Sequence, residues 1–549
     1  MGFDESEPSL HRSLEHWASE QPDAPFIIEV DENRAITYAG FRQAVYAMRD
    51  ALGSRPRSIA LALPGGIPAA LVWMAALTGG HRLIPCAPET TPSERALLGR
   101  AHSPQVLVVA EAHEAKAFGR SKARVFTSQD LYDLAASRRR SLGSIDPGRQ
   151  SLAISGRVRL STSGTTGEPK GILLTEAQIA RTALQVSASH RLTRQDRGLC
   201  VLPFFHINAP VVSLCGSLMA GSTLVIAPRF SLHRFWSWVA CERITWASVV
   251  PTIVALLLSG EKPRIVPNTL RFLRSASAPL PVARHLEFEE RFGIPIVETY
   301  GLSEVASQVT ANPVPPDRGK VGSVGLPTGV ELRVCVPGLD PGHKRQSGTA
   351  IVSGSNGALA RAHGRVLVEV QPGEEGEICV RGPSVITRYE DRKSGGSFTG
   401  GWFRTGDLGY QDEDGYLYIT GRLREVINRG GEKVSPREIE EVLLAHPSVR
   451  DAAVGSEPDP LYGQRIVAYV ALAGHQSVQS GQSLRRYCRD RLSAYKVPEI
   501  FYLVAALPRN GNGKLARRSL GSLLAQPSTM TCHDQEGTYD RVQVVMAHG

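Results

Sequence analysis

Short, mainly apolar runs recur along the chain, alternating with longer amphipathic stretches, and this alternation restricts the fold more than any other feature. "SIALALP", "VLVVA", "TLVIAP", "WASVV" and "IPIVETYG" are of the first kind, and "ITYAGFRQAVYAMRDAL" and "PVARHLEFEERFG" of the second. Strands apolar on both faces need cover on both, which helices crossing between parallel strands provide. An α/β architecture with largely buried parallel strands is therefore expected. At 549 residues the chain is longer than one core supports, so it should divide into domains.

The texture changes twice. From about residue 320, "GSVGLPTGVELRVCV", "GEICVRG" and "GYLYITGR" read as short strands with Gly-rich turns, a β-rich subdomain. From about residue 422, "SPREIEEVLLAHPSV", "DAAVGSE", "IVAYVAL", "SLRRYCRDRLSAYKVP" and "IFYLVAAL" alternate helix and strand, a small α+β domain. Ser435 is the expected cap of the first helix there, with Pro436 in its first turn and Glu438 closing a capping box. Residues 338–365 form a long Gly, Ser and basic excursion expected to be a surface loop. The tail 526–549 lacks periodicity and is expected to be without fixed structure.

Composition excludes several classes. With 42% apolar and 21% charged residues the chain matches a globular enzyme, not a disordered segment. The longest apolar runs, "AALVWMAAL" and "VVPTIVALLL", are too short to span a bilayer, and the N-terminus lacks a secretory signal's apolar core, so a cytoplasmic location is expected. The eight cysteines form no CxxC pair and lack a nearby His at ligand spacing, which reads as reduced thiols rather than a metal site. The net charge of +9 is spread without aromatic interleaving, so the expected partner is a nucleotide, a coenzyme or an acidic carrier rather than nucleic acid.

Residues 161–171, "STSGTTGEPKG", lie between two strand-like segments. A loop so rich in Gly, Ser and Thr presents backbone N–H groups and hydroxyls without obstruction, and Lys170 adds charge; phosphate is the expected guest. It is not a Walker A loop, because no Gly-Lys-Ser/Thr ends it. "VETYGLSEVA" places Tyr300, Gly301, Ser303 and Glu304 at the end of an apolar strand, where open α/β sheets bind ligands. "WFRTGDLG" holds Asp407 in a turn suited to ribose hydroxyls, and "PRNGNGK" ends at Lys514.

Together with "LPFFHINA", "RSASAPL" and "GYLYITGRLREVINRGGEKVSPREIE", these motifs stand in the order and spacing of the adenylate-forming superfamily of acyl-CoA synthetases, adenylation domains and firefly-type luciferases, which the chain resembles from "ITYAGF" to "GKLARRSL". Within it the chain is most similar to the synthetases related to oxalyl-CoA synthetase. The resemblance implies a large N-terminal domain, 1–421, of two α/β sheet subdomains plus a distorted β-barrel. A hinge at 422–424 and a small mobile α+β domain at 425–525 would follow.

The implied chemistry has two steps. A carboxylate attacks the α-phosphorus of ATP, releasing pyrophosphate, and a thiol then displaces AMP. The first step brings an anion to an anion, so it depends on positioning and charge neutralisation. By resemblance, Ser163, Gly164, Thr165, Thr166, Gly167 and Lys170 cover the β- and γ-phosphates. Ser303 touches phosphate, and Glu304 holds Mg²⁺, which prefers oxygen ligands. Tyr300 stacks on adenine, with Ala276, Ser277 and Ala278 on its other side and Glu298, Thr299 and Gly301 adjoining; Asp407 and Arg422 hold the ribose. Lys514 bridges the substrate carboxylate and the α-phosphate. His206 stands near the carboxylate and pantetheine entrance, Gly430 and Gly431 leave a channel for coenzyme A, and Ile207, Asn208, Ser275, Val305 and Ser307 line the acyl pocket. Arg424 departs from the family's usual Asp or Lys at the hinge.

The expected activity is therefore a coenzyme A ligase for a carboxylic acid. Loading of a separate carrier protein, a luciferase-type oxidation and a non-catalytic nucleotide binder share these motifs. The absence of an Asp near "PFFHINA" argues against an amino acid substrate.

Overall fold

The structure, a computed structural model, describes residues 7–30, 32, 34–136, 155–162, 170–337, 367–390, 396–473, 478–509, 515–521, 527–528 and 543–547. The apolar runs become two mainly parallel sheets. In the larger, six strands run parallel in the order Ile296–Tyr300, Phe272–Ser275, Trp246–Val249, Arg197–Cys200, Thr223–Ile226 and Pro25–Glu29. Antiparallel strands Thr310–Ala311 and Leu326–Pro327 extend one edge and Arg34–Thr37 the other. The second sheet is ordered Arg124–Thr127, Val106–Val109, Ser58–Ala62, Arg82–Pro85, Arg157–Thr162 and Lys170–Thr175, antiparallel only at the last pair.

The helix Ile67–Thr78, "IPAALVWMAALT", touches strands of both sheets and is buried from Ile67 to Leu77. Being apolar all round, it can only be stable with cover on every side. Its first turn is held by Glu29, whose carboxylate accepts from Ile67 N at 2.6 Å. Gly66 makes room for that contact, since a Cβ there would lie 2.4 Å from Glu29 Oε1.

The β-rich region is a five-stranded antiparallel sheet built from Glu331–Cys335, Gly376–Arg381, Trp402–Gln411, Phe398–Thr399 and Leu417–Arg422. One continuous core runs from Leu10 to Leu417, and separate cores use residues from Ile427 onward. These later cores flank the sheet of Val449–Asp459, Gly463–Leu472 and Ile500–Val504. The tail differs from expectation. Gln543–Ala547 pairs in parallel with Ile500–Val504, and Pro527–Ser528 pairs with it in turn. "QVVMA" is short enough to escape a periodicity reading yet supplies β-branched residues suited to a strand.

The helix Pro436–Leu444 starts where expected, but no capping box forms. The Ser435 hydroxyl donates instead to Thr420 O at 2.6 Å, tying the helix start to the strand Leu417–Arg422. Glu438 is drawn away to Lys496 at 2.7 Å. The excursion at 338–365 lies outside the described residues.

Candidate active site

Two clusters form at the carboxyl end of Ile296–Tyr300. The first gathers Tyr300, Asp407 and Arg422. The Tyr300 hydroxyl donates to Asp407 Oδ2 at 2.6 Å, and Arg422 Nε pairs with Asp407 Oδ1 at 2.8 Å. Strand register sets the second contact, because Asp407 and Arg422 are direct antiparallel partners. Asp407 is 3% exposed, so these donors stand in for water around its carboxylate. Asp407 and then burial act oppositely on Arg422, and Asp407 prevails, raising its pKa.

The second cluster gathers Lys170, Glu304, Tyr389 and Arg424. The Tyr389 hydroxyl donates to Glu304 Oε1 at 2.8 Å, and Lys170 Nζ sits 4.6 Å from the centre of the Tyr389 ring. Burial and then Arg424 lower the Lys170 pKa, while Glu304 raises it. Two cations thus face one carboxylate, an arrangement a polyanion would stabilise. Lys170 opens the strand Lys170–Thr175, opposite Thr162 of its hairpin partner. Ser163, Gly164, Thr165, Thr166 and Gly167 lie outside the described residues, as does Lys514.

A tight turn, 301–309, joins the clusters. Val309 N donates to Tyr300 O at 2.8 Å and Ser307 N to Leu302 O at 3.0 Å. Ala306 and Ser307 hold φ of 54° and 115°, and Ser303 and Glu304 ride on the turn. Val305 is wholly enclosed in the core, with its carbonyl accepting the Thr182 hydroxyl at 3.4 Å.

On the acyl side, Asn208 Nδ2 donates to Ser277 Oγ at 3.1 Å and Asn208 Oδ1 accepts from Arg274 Nη1 at 3.0 Å. Ser277 takes φ 75° between Ala276 and Ala278, and Ile207 and Ser275 are buried. The His206 ring packs 4.3 Å from Phe205. Gly430 and Gly431, with φ of 60° and 96°, form the two-residue turn of the hairpin Ile427–Arg429 and Glu432–Val434, which packs on the later core.

The Glu298 carboxylate turns away from this arrangement. It is buried against His285 Nδ1 at 2.9 Å, while Thr299 pairs with Ala311. Burial alone would lower the His285 pKa, but hydrogen bonds with Glu289 and Glu298 raise it to about 9. A raised pKa means the bound proton stabilises the fold fully below about 6.5 and is lost as pH rises through about 9. Wild type should therefore lose on the order of 3 kcal/mol between pH 6.5 and 9 through this group. His285→Gln should lack that part of the slope in denaturation measured at both pH values; an unchanged slope would count against it.

Tyr389 and Arg274 were not among the sequence-derived candidates. "TRYEDR" carries no spacing that marks Tyr389, and "FLRS" reads as an ordinary strand with one charge.

The AMP-binding enzyme family matches residues 14–390, more than half of the chain, and its C-terminal domain matches 438–514. The chain belongs to the AMP-binding enzyme family, within the adenylate-forming superfamily. Among curated members, the sulfoacetate–CoA ligase of Cupriavidus necator is 41% identical over 362 residues, covering 65% of each chain. The oxalate–CoA ligase of Arabidopsis thaliana is 36% identical over 372 residues, covering 66% of each. The chain thus spans just under two thirds of the length of these curated relatives. Among solved structures, ATP-bound MatB from Rhodopseudomonas palustris superposes with a TM-score of 0.78 at 26% identity, over 93% of this chain and 98% of that one. The o-succinylbenzoate CoA synthetase of Bacillus subtilis, in complex with its acyl-adenylate intermediate, gives 0.74 at 27%, over 94% and 98%. The family's two-sheet fold and smaller C-terminal unit are those described above. Among the described residues no helix is long and apolar enough to cross a membrane.

Proposed function

We propose that the protein activates a carboxylic acid with ATP and passes the acyl group to coenzyme A. The observation that carries this reading is the convergence of Tyr300, Asp407 and Arg422 beside Lys170, Glu304 and Arg424, a ribose-competent carboxylate next to a cationic patch. In the first step a carboxylate oxygen bonds to the α-phosphorus and the bond to pyrophosphate breaks. In the second, the coenzyme A sulfur bonds to the acyl carbon, AMP leaves, and the thiol proton is released. Lys170 and Arg424 offset the phosphate charge, Asp407 accepts from the ribose hydroxyls, and Tyr300 offers its face to adenine. Ser303 stands beside Glu304 to donate to phosphate.

Glu304 fits a Mg²⁺ site, because this ion takes one or two carboxylates with phosphate oxygens, and Glu304 Oε1 is oriented by Tyr389. Bound there, the ion would neutralise phosphate charge. Lys514 is assigned to the reacting carboxylate and α-phosphate. Gly430 and Gly431 leave the coenzyme's path open, and the turn 422–424 is the hinge between 1–421 and 425–525.

Acid-dependent exchange of pyrophosphate into ATP tests the first step. Lys514→Ala should reduce it roughly 100-fold or more, while thioester formation from supplied acyl-adenylate falls much less. Equal exchange in variant and wild type would overturn the Lys514 role. Supplied acyl-adenylate that yields no thioester with coenzyme A would overturn the acceptor and favour a carrier protein.

A further inference from the structure

Most largely buried arginines near the sheets face a carboxylate. Arg95 pairs with Glu114 at 2.7 Å, Arg159 with Glu390 at 2.7 Å, and Arg404 with Glu377. Arg274 does not. It is 1% exposed, its Nη1 donates to the neutral Asn208, and its Nε has no partner among the described residues. Burial alone lowers its pKa, to about 9, with no carboxylate acting on it. It therefore stays protonated near neutral pH, a buried charge without a counter-ion. Such a charge is costly unless an anion arrives.

Its surroundings are built for one. Arg274 lies in register with Ser248, and Ser248 with Cys200, so these residues form a row across three adjacent parallel strands. The Ser248 hydroxyl is fully buried without a partner among the described residues, and the buried Ser213 hydroxyl, on the helical segment Ala209–Cys215 that follows Asn208 directly, meets the Cys200 thiol. The remaining charged candidate facing the row, His190, is held neutral: burial and then Arg274 push its pKa down to about 3. The row thus offers a guanidinium, the idle Ser248 hydroxyl and, among the described residues, no anionic acceptor. Asn208 links it to Ser277, beside the predicted nucleotide wall.

Resting on the acid-activation reading, we infer that Arg274 is a specificity residue that pairs with a second anionic group on the substrate, so that the acid activated is a dianion. The reacting carboxylate points toward the phosphates, and the second carboxylate or equivalent group meets Arg274 with Asn208 holding the guanidinium in place.

The test is AMP formation from a panel of dicarboxylates, oxalate to glutarate, against monocarboxylates of the same carbon count. Wild type should favour the best dicarboxylate over its matched monocarboxylate by roughly 100-fold in kcat/KM. R274M should collapse that ratio to near one with KM for ATP within about twofold, because a buried pair with substrate is lost while Asn208 still donates to Ser277. R274K should keep part of the preference. Without substrate R274M should melt no lower than wild type, since it removes an uncompensated buried charge. Wild-type preference for monocarboxylates would overturn the assignment, as would an equal loss of both classes in R274M and R274K with ATP binding intact. AMP formation from neither class would instead overturn the acid-activation reading beneath it.

Discussion

Gly301→Ala is expected to reduce acid-dependent pyrophosphate exchange at least roughly 100-fold, the scale on which an ångström of misplacement acts. A Cβ at this position would lie 1.4 Å from the Ser307 carbonyl oxygen and 2.6 Å from its carbon. Both are backbone atoms, so no side-chain rotation relieves the clash. The turn cannot open cheaply either, because Val309 N to Tyr300 O and Ser307 N to Leu302 O close it from both ends. Whatever moves takes Ser303 and Glu304 with it, and with Glu304 its contact to Tyr389. Gly293→Ala is the matched control. Gly293 holds φ 68°, but a Cβ there meets nothing within 4 Å. That variant should lose about 1–2 kcal/mol of stability from backbone strain and keep its activity. If both variants retain wild-type exchange, the turn does not position the phosphate residues.

What the sequence made legible follows from which interactions are local. The apolar runs could be read as buried strands because both faces of a central parallel strand carry the same message, and Phe272–Ser275 and Trp246–Val249 are buried at every position. Tyr300, Asp407 and Arg422 could be listed from their motifs, and the strands bring them together. Their contact was not derivable, since it needs Asp407 and Arg422 in register and the edge of a different sheet beside them. Ser435 shows the opposite case. Its local pattern favoured a capping box, but its hydroxyl is aimed at the Thr420 carbonyl, a tertiary partner, and Glu438 pairs with Lys496. Glu298 failed for a similar reason: a tertiary partner, His285 on a neighbouring helix, takes its carboxylate. Arg274 was hidden most fully. A charge in an apolar strand carries no hint of whether it is paired, because the partner comes from another element.

Asp407→Asn is the second large effect, expected to cost at least roughly 100-fold in kcat/KM for ATP, two hydrogen bonds to a charged acceptor being worth about 1.5–3 kcal/mol each. Tyr300 and Arg422 both donate to this carboxylate, one to each oxygen. Ionised, the group still has lone pairs left for two ribose hydroxyls. An amide puts a donor where one oxygen stood, so it either opposes the Arg422 N–H or makes the Tyr300 hydroxyl an acceptor, and it accepts with only one atom. The folding cost should be smaller, about 1–2 kcal/mol, below that of breaking a fully buried pair, because the Arg422 side chain is 49% exposed and can turn to water. Ribose contact is separated from scaffolding by comparing ATP with 2′-deoxy- and 3′-deoxy-ATP. Wild type should discriminate against at least one deoxynucleotide by about 10-fold or more, and Asp407→Asn should lose most of that discrimination. A variant that is slower yet discriminates as wild type does would make Asp407 a brace for Tyr300 alone, leaving the ribose to other residues.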